Sequence, residues 1–166
     1  MTATSSGLVM YNLEKELKVF LAHPGGVFWK NKDFGAWGIP KGLVEENEDI
    51  FETAKREFFE ETGIKPPENK ESYIELETVK LKSGKIVHGW AFQGNFNGEI
   101  KCSSMVKLES PDESGNFIEF PEVDKAEFFD VATALKKIDP AQADFIKRLI
   151  EKLNYKEKEI KQTKLF

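Results

Sequence analysis

The sequence predicts an α/β protein in which a mixed β-sheet lies between helices. Apolar segments typical of strands alternate irregularly with amphipathic segments typical of helices. No internal repeat and no linker rich in Gly, Ser or Pro divides the chain. Its 166 residues, of which 40% are hydrophobic and 12% aromatic, suffice for one substantial core. We therefore predict a single domain over residues 1–155, with an exposed helix end or tail over 156–166.

The N-terminal part is predicted to hold two strands and a long loop. Residues 6–11 and 17–23 are apolar and flank the polar letters "LEKE". The loop reads "HPGGVFWKNKDFGAW" and is marked by proline and glycines, with aromatic residues at its far end. The segment "WGIPKG" that follows is short and bounded by turn residues.

Residues 49–62 give the clearest helix signal. Asp49 can cap the start of this helix, and Glu52 three residues later would complete a capping box. Gly63 stands where a glycine commonly ends a helix. The apolar stripe expected to face the sheet consists of Ile50, Phe51, Ala54 and Phe58.

The second half is predicted to complete the sheet and add two helices. Antiparallel strands are expected in "SYIELETVKL" and "KIVHGWAFQGNF", around the turn "KSGK". Residues 109–121 are expected to be a loop, and "KAEFFDV" a last strand. A short helix near 132–137 is followed by a longer one from about Pro140, because proline suits a first turn.

Composition and charge narrow the class of protein. The single cysteine, Cys102, excludes an internal disulfide and fits a reducing compartment. We expect no signal peptide and no membrane partner, hence a cytoplasmic location. The net charge of −5 argues against nonspecific nucleic-acid binding. Eight acidic and only two basic residues lie between positions 42 and 64, so the negative charge is local.

Three glutamates concentrate this charge on one helix face. Glu57, Glu60 and Glu61 stand at i, i+3 and i+4. Arg56 lies four residues before Glu60, but one arginine cannot neutralise three carboxylates. Mg²⁺, or alternatively Mn²⁺, takes oxygen ligands and holds substrate phosphates at the same time. The alternative interpretation is a solvated acidic face with intrahelical ion pairs.

Residues 42–64 read "GLVEENEDIFETAKREFFEETGI". This stretch resembles the Nudix box of the Nudix hydrolase family, G-x5-E-x7-R-E-U-x-E-E-x-G-U, where U is a bulky apolar residue. Phe58 and Ile64 occupy the U positions, and Phe58 departs from the usual aliphatic residue. The other specified positions fall on Gly42, Glu48, Arg56, Glu57, Glu60, Glu61 and Gly63.

The resemblance implies the Nudix α/β/α sandwich and metal-dependent hydrolysis of a diphosphate bridge, in which water attacks phosphorus. Arg56 would orient Glu48 or Glu57 rather than touch substrate. The general base comes from different glutamates in different family members. The metal ligands implied by position are Glu57, Glu60, Glu61 and the backbone carbonyl of Gly42.

The segment just before the box adds a narrower resemblance. Residues 37–49, "WGIPKGLVEENED", are similar to the pattern W-x-x-P-K-G-x-V-E-x-G-E-D of asymmetric diadenosine tetraphosphate hydrolases, with Asn47 in place of a glycine. Lys41 would then place a cation near the substrate phosphates, the alternative being a surface lysine. The whole layout also resembles a bacterial group described as predicted NTP pyrophosphohydrolases, which gives no substrate.

Many Nudix enzymes use another glutamate from a loop just before a late strand. Glu122, in "FPEVDKAEFF", fits this place best, and Glu119 and Glu113 are the alternatives. An acidic surface loop would explain any of the three equally well.

An aromatic side chain is needed to stack on a nucleobase. Trp29 is the best candidate because it lies in a polar loop. Aromatic residues are more often part of the core. Further aromatic candidates near the box or on a strand that could face the cleft are Phe28, Trp37, Trp90 and His88.

Two classes of function follow. The first is a Mg²⁺-dependent hydrolase acting on a nucleotide, with dinucleoside polyphosphates ahead of nucleoside triphosphates, ADP-ribose and triphosphorylated RNA 5′ ends. Other nucleic acids are not expected partners, and the enzyme would be a monomer or homodimer. The second is a nonhydrolytic Nudix-fold domain that senses a nucleotide. Such domains typically lose the metal-binding glutamates, all of which are present here.

Overall fold

The computed structural model of the chain describes residues 3–110 and 112–156. The strands in this part are β1 (Thr4–Asn12), β2 (Lys18–Pro24), β3 (Lys41–Leu43), β4 (Tyr73–Lys80), β5 (Ile86–Gln93), β6 (Met105–Glu109), β7 (Phe117–Pro121) and β8 (Val123–Asp130). The helices are α1 (Ile50–Thr62), α2 (Val131–Lys137) and α3 (Ala143–Leu153). Short 3₁₀ turns span Lys70–Ser72 and Pro140–Gln142. The predicted tail, except Lys156, lies outside the described residues.

The sheet is mixed, as the sequence predicts, and it contains six strands. Their order is β4-β5-β1-β2-β8, with β3 paired to β1. Strands β1 and β5 run parallel, with Leu8 opposite Trp90, and the other neighbours are antiparallel. No helix in the described ranges is long and apolar enough to cross a membrane.

Each face of the sheet has its own hydrophobic core, because successive strand residues point to opposite sides. Val9 and Val19 pack with residues of α2 and α3, including Leu149. Leu8 and Phe20 pack on the other side with Phe58 of α1. The sheet therefore lies between α1 and the pair α2 and α3, which confirms the predicted layered architecture.

Helix α1 begins and ends where the sequence predicts. The Asp49 side chain accepts a hydrogen bond from the Glu52 N–H, and Gly63 ends the helix with φ of 75°. The Glu52 carboxylate does not complete a capping box but lies 3.1 Å from the Lys55 ammonium. Ile50 was wrongly placed in the buried stripe: it is 37% exposed, because the helix starts from an exposed loop.

The predicted loop over 109–121 is wrong in part. Strands β6 and β7 form a separate antiparallel hairpin that joins residues 105–109 to 117–121. Its polar turn, 112–116, separates two short apolar runs. Their backbones satisfy each other's hydrogen bonds rather than remaining irregular. The hairpin leads directly into Glu122 and strand β8.

Candidate active site

Strand β3 holds the start of the box against helix α1. Strand β3 pairs with β1, and residue pairs such as Gly42 and Ser6 lie opposite each other. A Cβ atom on Gly42 would stand 2.0 Å from Cδ of Glu57. Only glycine therefore allows the Glu57 carboxylate to pack on this strand.

The loop between β3 and α1 turns at Asn47, which has φ of 64°. This is the position at which the related pattern has glycine. Asparagine is among the residues that adopt the left-handed conformation most readily. The turn also brings Glu48 back, so that its Oε1 accepts from the Glu45 N–H at 3.1 Å. Asn47 therefore adopts a conformation that the glycine of the pattern would also tolerate.

Arg56 is the centre of an ion-pair network. Its Nε and Nη2 donate to the two oxygens of Glu48 at 2.7 and 2.9 Å. Its Nη1 donates to Glu57 at 3.0 Å and to Glu60 at 3.1 Å. The bidentate bond to Arg56 lowers the pKa of Glu48 to about 2, and the pKa of Arg56 is raised in turn. Arg56 thus contacts both glutamates that it was predicted to orient.

Glu57 and Glu61 are buried, with only 8% and 3% of their surfaces exposed. Burial raises the pKa of Glu57, and Arg56 opposes this effect. Burial also raises the pKa of Glu61 well above its usual value, and the Glu122 carboxylate adds to the shift. The alternative interpretation, a solvated acidic face, fits only Glu60, whose side chain is partly exposed. Two carboxylates held away from water need an electrostatic partner.

A cleft of about 450 Å³ opens beside these carboxylates and is lined by Glu61, Lys41, Glu122 and Trp29. The Lys41 backbone N–H donates to Glu61 Oε1 at 3.1 Å. Burial lowers the pKa of the Lys41 ammonium, and the charge of Glu61 opposes that change. The structure thus brings together four residues that the sequence singled out.

Glu122 occupies the cleft through the β6–β7 hairpin. Its backbone N–H donates to the Ser104 carbonyl at 2.9 Å, and the Ser104 hydroxyl donates to its Oε2 at 2.5 Å. Glu119 is exposed on β7 opposite Lys107, and Glu113 is exposed in the turn. Neither of these alternatives lines the cleft.

Trp29 is half-buried at the cleft, next to Phe28, whose ring centre lies 5.0 Å away. Phe28 is 68% exposed, and the Lys32 ammonium lies 3.4 Å from its ring centre. The loop therefore presents an exposed aromatic ring and a basic group next to Trp29.

The other aromatic candidates do not line the cleft. Trp37 is buried in the core on the α2 and α3 side. Trp90 packs against Phe51 of α1, and His88 stacks on Trp90 at 4.3 Å. His23 is buried too, with one ring nitrogen 2.9 Å from Asp124. These side chains contribute to packing, in agreement with the alternative interpretation that aromatic residues are more often part of the core.

The donor chemistry fits a hard divalent cation. Glu57, Glu61 and Glu122 offer carboxylate oxygens whose mutual repulsion a cation would relieve. No three His, Cys, Asp or Glu side chains among residues 3–110 and 112–156 are already arranged to hold a metal ion. In the structure, Glu60 points its carboxylate to Arg56.

Asp139 and Gln142 are among the residues of the cleft that the sequence analysis did not identify. Gln142 ends the 3₁₀ turn Pro140–Gln142 that precedes α3, and Asp139 caps the start of that turn. The Gln142 side chain accepts from the Ile39 N–H, across 103 positions of sequence. Such a contact follows from tertiary packing and has no local signal in the sequence.

The sequence of the chain is similar to those of one protein family. A family model described as the NUDIX domain matches residues 1–149. An RNA pyrophosphohydrolase of Bartonella henselae is 31% identical over 136 residues, covering 75% of the chain and 70% of that protein. A Bradyrhizobium RNA pyrophosphohydrolase is 30% identical over 96 residues. The chain therefore spans about half the length of that relative, of which 55% is covered.

Solved structures share the fold. A Caenorhabditis elegans Ap4A hydrolase in a binary complex has a TM-score of 0.64 at 20% identity, covering 90% of the chain and 98% of that protein. The NUDIX domain of Shewanella oneidensis NrtR, complexed with ADP ribose, has a TM-score of 0.65 at 17% identity, covering 92% and 89%. At these identities the likeness concerns the fold alone. The match of the family model over residues 1–149 shows that the chain belongs to the Nudix family of hydrolases.

Proposed function

We propose that this chain, a Nudix pyrophosphohydrolase, hydrolyses a diphosphate linkage in a nucleoside polyphosphate with Mg²⁺ as its cofactor. One observation supports this most directly. The buried carboxylate of Glu61 lines the same cleft as Glu122 and the Lys41 ammonium. Oxygen donors beside a cationic side chain suit a phosphate chain held together with its metal.

The leading substrate class is a dinucleoside polyphosphate such as diadenosine tetraphosphate. Its support is the segment "WGIPKGLVEENED", in which Lys41 and the start of the box follow the pattern of that hydrolase group. Two further observations are consistent with this proposal: Lys41 lines the cleft, and Asn47 adopts a left-handed conformation that glycine also tolerates.

The cation would be held by Glu57, Glu60, Glu61 and the carbonyl of Gly42, with Mn²⁺ as the alternative to Mg²⁺. When bound, such a cation neutralises phosphate charge and polarises the phosphoryl oxygens. Arg56 positions Glu57, since it donates directly to that carboxylate.

The remaining side chains act on the substrate and the water. Lys41 offsets the negative charge that develops on the phosphoryl group under attack. Glu122 accepts the proton of the attacking water, because its carboxylate lies in the cleft. A new P–O bond to the water oxygen forms as the P–O bond of the bridge breaks, and the leaving phosphate takes the electron pair.

A triphosphorylated RNA 5′ end is the second candidate substrate. Two observations favour it: the relatives named RNA pyrophosphohydrolase, and the loop around Trp29, in which Phe28 is exposed and the Lys32 ammonium lies over its ring. Aromatic and basic groups in alternation are typical of surfaces that bind single-stranded nucleic acid.

The test is a product assay on a substrate panel, with Mg²⁺ and with EDTA. The panel contains diadenosine tetraphosphate, the nucleoside triphosphates, ADP-ribose and a 5′-triphosphorylated RNA. We expect ATP and AMP from the dinucleotide, only with Mg²⁺, and loss of product in Glu61→Gln. Glu46→Gln, an exposed acid of the same loop, is the matched control. Preferred RNA cleavage would select the second candidate, and nucleotide binding without any product would support a sensing domain.

A further inference from the structure

We propose that the outer edge of strand β6 (Met105–Glu109) pairs antiparallel with β6 of a second copy of this chain, so that the two hairpins form one four-stranded sheet. The pairing is centred on Leu108, with Lys107 of each copy opposite Glu109 of the other. This surface is separate from the proposed chemistry, because no residue of β6 lines the cleft.

The hairpin of β6 and β7 leaves apolar side chains in contact with solvent. Leu108 and Ile118 lie opposite each other and are 52% and 38% exposed. They share one face with Val106 and Phe120, since every second residue of a strand points to the same side. A Cβ atom on Gly26 would lie 2.6 Å from the Phe120 ring, so the main body covers that end of the face. The end at Leu108 remains open, and a two-stranded sheet gains stability from further strands.

The outer edge of β6 has backbone groups available for another strand. Backbone hydrogen bonds join Ser110 to Asn116 and Ser104 to Glu122 at the two ends of the hairpin ladder. Hydrogen-bonded positions alternate in an antiparallel pair. The even-numbered residues of β6 therefore direct their N–H and C=O groups to β7, and the odd-numbered residues direct theirs outward. Within the described ranges, no strand pairs with this outer edge and no other backbone group bonds to it.

The outer edge of β7 is less suitable for pairing. Its last residue, Pro121, has no N–H to donate. The Pro121 carbonyl also lies against Gly25, where a Cβ atom would be only 2.0 Å from the oxygen. The loop after β2 therefore covers the base of this edge, and β6 offers the open one.

The charges of β6 select a second copy as the partner and one register for it. The strand reads "MVKLE", so Lys107 and Glu109 lie on the same face and both have outward backbone groups. Centring the antiparallel pair on Leu108 places each Lys107 opposite Glu109 of the other copy, in a hydrogen-bonded pair. Centring it on Lys107 would place two like charges opposite each other. Opposite charges at facing positions stabilise a sheet, and like charges destabilise it.

The same register brings the apolar ends of the two hairpins together. Leu108 of one copy lies directly opposite Leu108 of the other, at a non-hydrogen-bonded position where Cα atoms approach to about 4.5 Å. Ile118 flanks Leu108 in each copy on the same face. One apolar stripe therefore crosses all four strands. An edge of five residues is a small interface, so the dimer is weak and depends on concentration.

A disulfide at the centre of the pair tests the register. Leu108→Cys is made together with Cys102→Ser, which removes the single natural thiol. Oxidised glutathione is the oxidant that takes up the two electrons. We expect a covalent dimer, because Cα atoms at this position lie within the range of a disulfide. Ile118→Cys in the same background is the matched control, since the two copies of this residue would be about 14 Å apart, across three strand spacings.

A charge exchange tests the pairing without a covalent bond, by sedimentation velocity over a wide range of protein concentration. Lys107→Glu and Glu109→Lys each create like charges at both facing positions and should weaken self-association by about 10-fold. An equimolar mixture of the two variants restores opposite charges at both positions and should associate as the wild type does. Lys15→Glu, at an exposed position between β1 and β2, is the matched control and should also associate as the wild type does.

Three results would overturn the proposed pairing. The first is a failure of Leu108→Cys to form a covalent dimer. The second is equal cross-linking by Ile118→Cys, which random collision would produce. The third is a mixture of Lys107→Glu and Glu109→Lys that associates no more than its components. Hydrolysis of the substrate panel is a separate measurement, so a failure of the proposed reaction leaves this test unaffected.

Discussion

The Cα atom of Gly42 packs directly on the carboxylate of Glu57. A Cβ at this position would lie 2.0 Å from Cδ and 2.2 Å from Oε2 of Glu57, far inside any real contact. Glu57 is not free to turn away, because Arg56 Nη1 donates to its Oε1 at 3.0 Å. The first glycine of the box therefore sets the position of a glutamate fifteen residues later.

Gly42→Ala should impair catalysis more than stability. The new methyl group must displace the Glu57 carboxylate, and a displacement of about 1 Å can reduce a rate by about 100-fold. The backbone of Gly42 needs no left-handed conformation, so the fold should tolerate alanine. The check is kcat/KM beside a melting curve, with Glu46→Ala in the same loop as control. A fully active alanine variant would contradict the fixed position of Glu57.

The acid-sensitive part of the stability should depend on Glu48. Arg56 holds the folded-state pKa of Glu48 at about 2, below its ordinary value of 4.5. A depressed pKa stabilises the fold above the unfolded pKa, and this contribution disappears as pH falls through the folded pKa. We expect the wild type to lose about 1–2 kcal/mol between about pH 5 and pH 2, relative to Glu48→Gln, since the pair lies near solvent.

The measurement is the free energy of unfolding in urea at several pH values. Glu46→Gln should follow the wild-type profile, because Glu46 forms no ion pair or hydrogen bond with Arg56 in the described part of the chain. Parallel curves for the wild type and Glu48→Gln would show that the ion pair contributes nothing to acid stability.

The features that could be predicted from the sequence are those that depend on the spacing of residues close together in the chain. Asp49, Glu52 and Gly63 define α1 through caps that depend only on neighbours, and the box spacing places its glutamates on one face. Burial of Glu61 was not predictable, because charge runs are usually solvated and its cover comes from other elements. The contact of Gln142 with Ile39 depends on how α3 packs beside the sheet, which no short stretch of sequence encodes.

The β6–β7 hairpin was not predicted either, although the sequence contains local signals for it. Val106 and Leu108 alternate with Lys107 and Glu109, and the apolar run Phe117–Phe120 follows a polar turn. Both are signals for short strands. Because residues 109–121 were assigned to a loop, these two strands were not predicted. The consequence was functional, since the hairpin positions Glu122 in the cleft.

Glu61→Gln should raise the melting temperature without metal and abolish stabilisation by Mg²⁺. Burial and the Glu122 carboxylate raise the pKa of Glu61, so its charged form is unfavourable when no cation is present. Glutamine has the same shape and still accepts from the Lys41 N–H. A gain of about 1–2 kcal/mol corresponds to about 2–8 °C for a chain of this length.

Thermal melting with EDTA and with Mg²⁺ tests this expectation for the wild type and Glu61→Gln. The wild type should be stabilised by Mg²⁺, and the variant should not respond. An equal Mg²⁺ response in both proteins would remove Glu61 from the metal ligands, whatever its effect on activity.

Of the three candidate glutamates after the box, only Glu122 should lower the rate of hydrolysis when it is substituted. Only Glu122 lines the cleft, whereas Glu119 and Glu113 are exposed. We expect Glu122→Gln to lower kcat by about 100-fold or more, in the range of a lost general base. Glu119→Gln and Glu113→Gln should retain the wild-type kcat and thus serve as matched controls. A loss in either of them, with Glu122→Gln active, would transfer the role to another glutamate.

Trp29 should contribute to substrate affinity and not to the chemical step. The residue lines the cleft but belongs to the loop after β2 and not to the box helix α1. Stacking of a base on an aromatic ring is worth about 1–3 kcal/mol, so Trp29→Ala should raise KM by about 5- to 150-fold with kcat nearly unchanged. Phe34→Ala removes an exposed aromatic side chain of the same loop that does not line the cleft, and should leave both constants unchanged. Trp29→Phe should restore most of the affinity, because it keeps a ring for stacking. A fall in kcat of Trp29→Ala with KM preserved would instead mean that the loop positions the reacting groups.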